Sequence, residues 1–240
     1  DVLQRIATMV GPESIAACFV EPIAGSTGCL VPPKGYLKRL REICDQHGIL
    51  LVFDEVITGW GRTGQAFAAQ SFDVTPDMIT MAKAVTNGAQ PMGVVAVSER
   101  IHDTIMAAAP EGAIEFFHGY TYSGHPAACA AGLATLDIYR RDNLFERGRA
   151  LSPYFLDALF SLRDLPVVTD IRGYGMLGAL DVAVDGAPGK RGHHLQKKLF
   201  DNGLHLKTTG DAAIVAPPLI AEKSHVDRIV EVLRKTLAAL

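Results

Sequence analysis

Two chemistry-bearing residues each follow a short apolar run. Ile49-Leu50-Leu51-Val52-Phe53 ends on Asp54 and Glu55, and Met78-Ile79-Thr80-Met81-Ala82 ends on Lys83. Uninterrupted apolar runs of this length form strands buried on both faces of a parallel sheet. Ligands of open α/β sheets sit beyond the carboxyl ends of such strands. An acid and an amine are therefore expected on one rim, beside the glycine-rich stretch Thr58-Gly59-Trp60-Gly61-Arg62-Thr63-Gly64. A desolvated lysine attacks carbonyls and forms a Schiff base with them. Either residue alone is weak evidence, because a strand-end lysine is commonly a surface residue and Asp54 could simply cap a turn.

The elements that must position these groups follow from periodicity. Ser14–Val20 reads as a buried strand. Gly35–His47 reads as a helix, with Leu37, Leu40, Ile43 and Cys44 on one face and Gly48 as its C-cap. Strand, helix and strand in this order form a βαβ unit, so a parallel sheet is expected. Gly93–Val97 is strand-like, and residues 101–112 read as helical, then loop-like. The polar, aromatic loop His118–Pro126 opens a helix rich in alanine, and helix N-termini favour anions. Beyond about residue 140 the pattern changes. Helices near 144–163 and 194–202 alternate with strands at Val167–Ile171, Met176–Val182, Leu204–Lys207 and Ala212–Ala216, before a terminal helix with a capping-box-like start at Ser224. The expected division is 1–138, part of a large α/β domain, and 139–240, a smaller α+β domain.

The 240 residues are 48% hydrophobic and 20% charged, with a net charge of −3. That composition carries no electrostatic footprint for nucleic acid or anionic lipid. No apolar run approaches the ~20 residues that span a bilayer, and the first residues lack the basic and apolar regions of a signal peptide. Cys18, Cys29, Cys44 and Cys129 form no C-x-x-C pair and no cluster with zinc spacing, so reduced thiols, no metal site and a cytoplasmic location are expected.

Pyridoxal phosphate is a cofactor that would use this set of groups. It binds covalently to a lysine, needs a carboxylate at its ring nitrogen to keep that nitrogen protonated, and needs hydroxyls or helix N–H groups for its phosphate. Asp54, Lys83 and Thr121 offer one of each. The stretches DEVITGWGRTG at 54–64, TMAKAVTNGAQPMG at 80–93, HGYTYSGHP at 118–126 and EPIAGSTG at 21–28 also resemble, in order and spacing, the class III (omega) aminotransferases, which are fold-type I pyridoxal-phosphate enzymes. The resemblance is closest to the omega-amino acid:pyruvate branch, which includes β-alanine:pyruvate aminotransferases. Ile57 favours that branch, because ornithine- and GABA-type relatives carry Gln three residues after the Asp.

The resemblance implies a three-layer fold-type I large domain, present in part, with a mainly parallel sheet and a small C-terminal domain. It implies that Lys83 is the Schiff-base lysine and proton shuttle, that Asp54 pairs with the ring nitrogen, and that Val56 packs on the ring. Thr121 would bind the phosphate of a neighbouring subunit in a homodimer or dimer of dimers. Glu21 and Trp60 would lie near the substrate side. Lys207, in Leu206-Lys207-Thr208-Thr209-Gly210-Asp211, stands where the family has an Arg that clamps the substrate carboxylate, so a different acceptor is open. The likeness covers only the C-terminal half of a family member, and the N-terminal half is expected elsewhere. The implied reaction is ping-pong transamination from a β-alanine-like donor to pyruvate.

Other pyridoxal-phosphate chemistry on this scaffold, such as a taurine or diamine transaminase or an aminomutase, remains an alternative, as does a non-catalytic member of the fold. LLVFDE also resembles the magnesium-binding strand of an ATPase, but no G-x-x-x-x-G-K-[ST] loop accompanies it.

Overall fold

In the computed structural model, which describes residues 2–240, helix α1 (Val2–Val10) leads through a short turn into strand β1 (Ala17–Val20). Helix α2 (Tyr36–His47) follows, then strand β2 (Leu50–Asp54), the four-residue helix α3 (Ala68–Ser71) and strand β3 (Met78–Met81). Strand β4 (Val94–Val97), helix α4 (Glu99–Ala107) and the long helix α5 (Pro126–Arg141) complete the first part. The strands form one sheet in the order β1-β2-β3-β4, parallel from β1 to β3 and antiparallel at β4. Leu51, Val52 and Phe53 are buried, as a strand covered on both faces must be. The buried residues of α2 are the four picked out by periodicity, and Gly48 ends the helix in the left-handed conformation at φ 67°.

The second part begins with helix α6 (Leu144–Phe160), strand β5 (Val168–Tyr174) and strand β6 (Leu177–Val182). Helix α7 (Lys190–Asp201), strand β7 (Lys207–Thr209), strand β8 (Ala212–Val215) and helix α8 (Lys223–Ala238) follow. This sheet is antiparallel throughout, in the order β5-β6-β8-β7. Its core runs from Tyr139 and Leu144 to Leu237, whereas the first sheet packs Leu51 and Phe53 against Leu37, Leu40 and Cys44 of α2. A third cluster, Ile23, Cys29, Leu177 and Ala179, joins the two. Residues 138 and 139, where the sequence pattern changes, are consecutive residues of α5.

Three local expectations are corrected. The strand expected at Leu204–Lys207 starts at Lys207, because the Leu204 N–H is committed to the Leu199 carbonyl at the end of α7. Helix α7 starts at Lys190 rather than 194. Its first turn is held by Asp211, which accepts from the N–H groups of Gly189 and Gly192 at 2.8 and 2.9 Å. The capping box of α8 uses Glu222 and His225 rather than Ser224 and Asp227.

Candidate active site

Parallel pairing brings the two chemical groups to one rim. Asp54 is the partner of Thr80 across β2 and β3, and the next N–H along, that of Glu55, donates to the Thr80 carbonyl at 2.9 Å. Beyond Met81 the chain leaves the sheet and turns at Lys83, which has φ 45° and opens a 3-10 turn over Lys83–Val85. Asp54 accepts from the Val56 N–H at 3.0 Å, so its carboxylate is held over its own strand end.

Past Asp54 the glycine-rich loop is anchored by its neighbour. Glu55, wholly buried, accepts from the N–H groups of Ala68 and Ala69 at 2.6 and 2.9 Å and from the Thr58 hydroxyl at 3.0 Å. Burial raises the Glu55 pKa against the pull of these donors. Arg62 reaches across to the second sheet and donates to the carbonyls of Met176 and Pro217 at 3.0 and 2.6 Å. Burial lowers its pKa, opposed by Tyr139. Gly61 is tied to glycine twice over: its φ is 92°, and a Cβ there would lie 2.5 Å from Phe145.

Between these elements lies a cavity of about 600 Å³. Val56, Trp60, Lys83 and Lys207 all line it, with Arg62, Asn87 and Tyr139. Lys83 is exposed toward it, and Lys207 enters from the first position of β7. Apolar side chains, among them Ile57, Leu177, Ile214 and Leu219, form much of the remaining wall. Asp54 lies outside the lining, bonded to the N–H of Val56, which is part of it. Glu21 is also outside it: its carboxylate accepts from Gly25 N–H at 3.0 Å and shapes the loop whose Gly25 and Ser26 reach the cavity. A Cβ on Gly25 would meet Ile57 at 2.8 Å, so this loop approaches the wall as closely as glycine allows.

Thr121 is not brought to this cavity. It lines a second one, of about 660 Å³, with Gln90–Gly93 and the start of α5. His125 caps that helix through Nδ1, 3.4 Å from the Ala128 N–H, a structural duty. Among the described residues no group of His, Cys, Asp and Glu is arranged to hold a metal, and no helix is long and apolar enough to cross a membrane.

Tyr139 and Asn87 were not singled out in the sequence. The signal for Tyr139 was present, since Ala128, Gly132, Thr135 and Tyr139 fall at helical spacing and form the buried face of α5. Trp60, at φ 61°, stacks on Tyr139 with centroids 6.2 Å apart and 12° between planes, and meets Phe67 edge-on. Its buried Nε1 has no hydrogen-bond partner among the described residues.

Comparison with known proteins is consistent with this geometry. The chain is 53% identical over 238 residues to an omega-aminotransferase of Caulobacter vibrioides, covering 99% of this chain and 54% of that one. It is 48% identical to a beta-alanine--pyruvate aminotransferase of Pseudomonas aeruginosa, covering 98% of this chain and 53% of the relative. The chain thus spans about half the length of the curated relatives it matches. A solved structure described as a transaminase with L-ala superposes with a TM-score of 0.93 at 32% identity, over 99% of this chain and 57% of that one. The α/β fold is therefore that of the transaminases. The family model for class-III aminotransferases matches residues 1–237, and the chain belongs to that family.

Proposed function

We propose that this chain is the C-terminal half of a pyridoxal-phosphate-dependent omega-aminotransferase that moves an amino group from a β-alanine-like donor to pyruvate. The observation that carries the reading is the single cavity holding Lys83, Val56 and Lys207 beside the strand that ends on Asp54. The residues present fit the cofactor: an amine exposed to the cavity, a branched apolar wall, and a carboxylate at the adjoining strand end held by the Val56 N–H.

When bound, pyridoxal phosphate supplies an aldehyde that condenses with amines and a ring that accepts the electrons released when a C–H bond breaks. Lys83 Nζ would hold the group and, once released by the donor amine, would accept the proton from the donor's amine-bearing carbon and return it to the cofactor. Asp54 would keep the ring nitrogen protonated, and Val56 would pack against the ring. Lys207 offers a point charge to the oxo-acid carboxylate, without the bidentate fork of an arginine. Glu21 and Trp60 act on the substrate side through the loop at Gly25 and the wall of the cavity.

The half-length coverage of the relatives supports a preceding half that completes the site. Thr121 serves the phosphate in a neighbouring subunit, so the active unit is a homodimer or a dimer of dimers. The separate cavity at Thr121 supports this reading. We also read 1–138 and 139–240 as large and small domains, and the enzyme as cytoplasmic.

The test is an assay of the full-length protein with β-alanine and pyruvate. Alanine is the expected product. Lys83→Ala abolishes it and Thr121→Ala lowers it. Mixing and re-pairing these two variants restores part of the activity, because one site of each mixed dimer is intact. No alanine from the wild type would overturn the reaction, and no recovery on mixing would overturn the shared site.

A further inference from the structure

Lys83 adopts an unusual backbone conformation for the residue on which the chemistry rests. Its φ of 45° is left-handed, a region that L-residues other than glycine avoid. Such a conformation persists only where its surroundings over-determine it. Within the turn, Val85 N–H donates to Ala82 O at 3.1 Å and Thr86 N–H to Lys83 O at 3.3 Å, the latter a long bond. From outside the turn, the Tyr139 hydroxyl donates to the Ala84 carbonyl at 2.7 Å, directly after the lysine.

That hydroxyl is itself held. Asn87 Nδ2 donates to it at 3.1 Å, so the bonds form a chain from Asn87 through Tyr139 to Ala84, in which each bond polarises the next. The ring is fixed on two sides, stacked against Trp60 and tilted against Phe145 at 5.0 Å. Tyr139 is only 6% exposed, and burial raises its pKa, so its hydroxyl keeps the proton that it donates. Helix α5 passes beside this turn, with Gly132 facing Met92 and the Val85 carbonyl.

We propose that Tyr139 is a positioning residue for Lys83: its hydroxyl locks the 83–85 turn in the left-handed geometry that points the amine into the cavity. This rests on the reading of Lys83 as the reactive amine. The strain at Lys83 and the strength of one hydrogen bond are of the same order, so losing that bond shifts the balance of conformations.

Tyr139→Phe in the cofactor-free full-length protein tests it, since the ring and its stacking survive. The readouts are the rate at which added pyridoxal phosphate is captured covalently, kcat and KM of the loaded enzyme, and thermal stability. Capture and kcat are expected to fall about tenfold, the effect of one hydrogen bond, with KM nearly unchanged and the fold intact. Asn87→Ala is expected to slow capture less, in the same direction, and decides the matter by the same criterion if Tyr139→Phe fails to fold. Lys83→Ala is run in parallel. If it captures nothing while the decisive variant captures at the wild-type rate, the positioning role is overturned and the assignment of Lys83 stands. Covalent capture by Lys83→Ala would overturn the assignment itself.

Discussion

Asp54 and Glu55 are adjacent in the chain and diverge in role because of what surrounds them. Glu55 turns inward to three donors, which makes it a structural anchor for the loop. Asp54 stays at the strand end and accepts the Val56 N–H through Oδ1, while Oδ2 has no hydrogen-bond partner among the described residues. Asp54→Asn keeps an oxygen to accept from Val56 N–H but removes the charge that holds a ring nitrogen protonated. We expect kcat to fall by about 100-fold or more, the scale of losing one electrostatic stabiliser, while the cofactor is still retained. A kcat within twofold of wild type would contradict the role. Such residue pairs were legible in sequence as types and spacing. Which of two neighbouring carboxylates would face inward was not, because Ala68 and Ala69 come from a later part of the chain.

At the scale of elements, Asp77 ties the first sheet together. It accepts from Leu51 N–H of β2 and Arg41 of α2, each at 2.8 Å, and from Arg100 of α4 at 3.0 Å. Burial works against its charge, but these donors outweigh it and the pKa is lowered. A lowered folded-state pKa means that the stabilisation is complete above the ordinary aspartate value of about 3.9 and is lost as pH falls through the lower folded value. Asp77→Asn is expected to cost about 1–3 kcal/mol at pH 7, as for hydrogen bonds to charged groups. The gap between the denaturation curves of the two proteins should begin to close as pH falls below about 4 and vanish only below the lower folded-state value. A gap that stays constant in acid would contradict the linkage.

The helix α2 and the strands on either side were legible because periodicity and the glycine cap are local. The start of α7 was not, because its cap is Asp211, beyond the end of the helix. The start of β7 was also misread, since the apolar Leu204 and Leu206 look strand-like while Leu204 N–H serves the end of α7. Tyr139 was missed for a related reason. Its helix announced close packing through its alanines, but the partner, the turn after Lys83, lies 55 positions away in sequence.

Across the whole molecule, long-range contacts join the two sheets around the cavity. Arg62 donates to Met176 and Pro217, Arg172 donates to the Gly28 carbonyl at 2.7 Å, and Thr209 donates to Ser26 at 2.8 Å. Lys83, in the turn after β3, and Lys207, in β7, thereby face one space that Gly25 and Ser26 also line. The exposed residues Phe19, Val95, Phe117 and Tyr122 offer apolar surface that the proposed preceding half and neighbouring subunit would cover. The whole arrangement turns on one covalent attachment. The most direct measurement is to load the full-length protein with pyridoxal phosphate, reduce it with borohydride, digest it and locate the modified peptide by mass. The cofactor's mass is expected on Lys83 alone. A cofactor mass on Lys207 or any other lysine, with Lys83 unmodified, would contradict it.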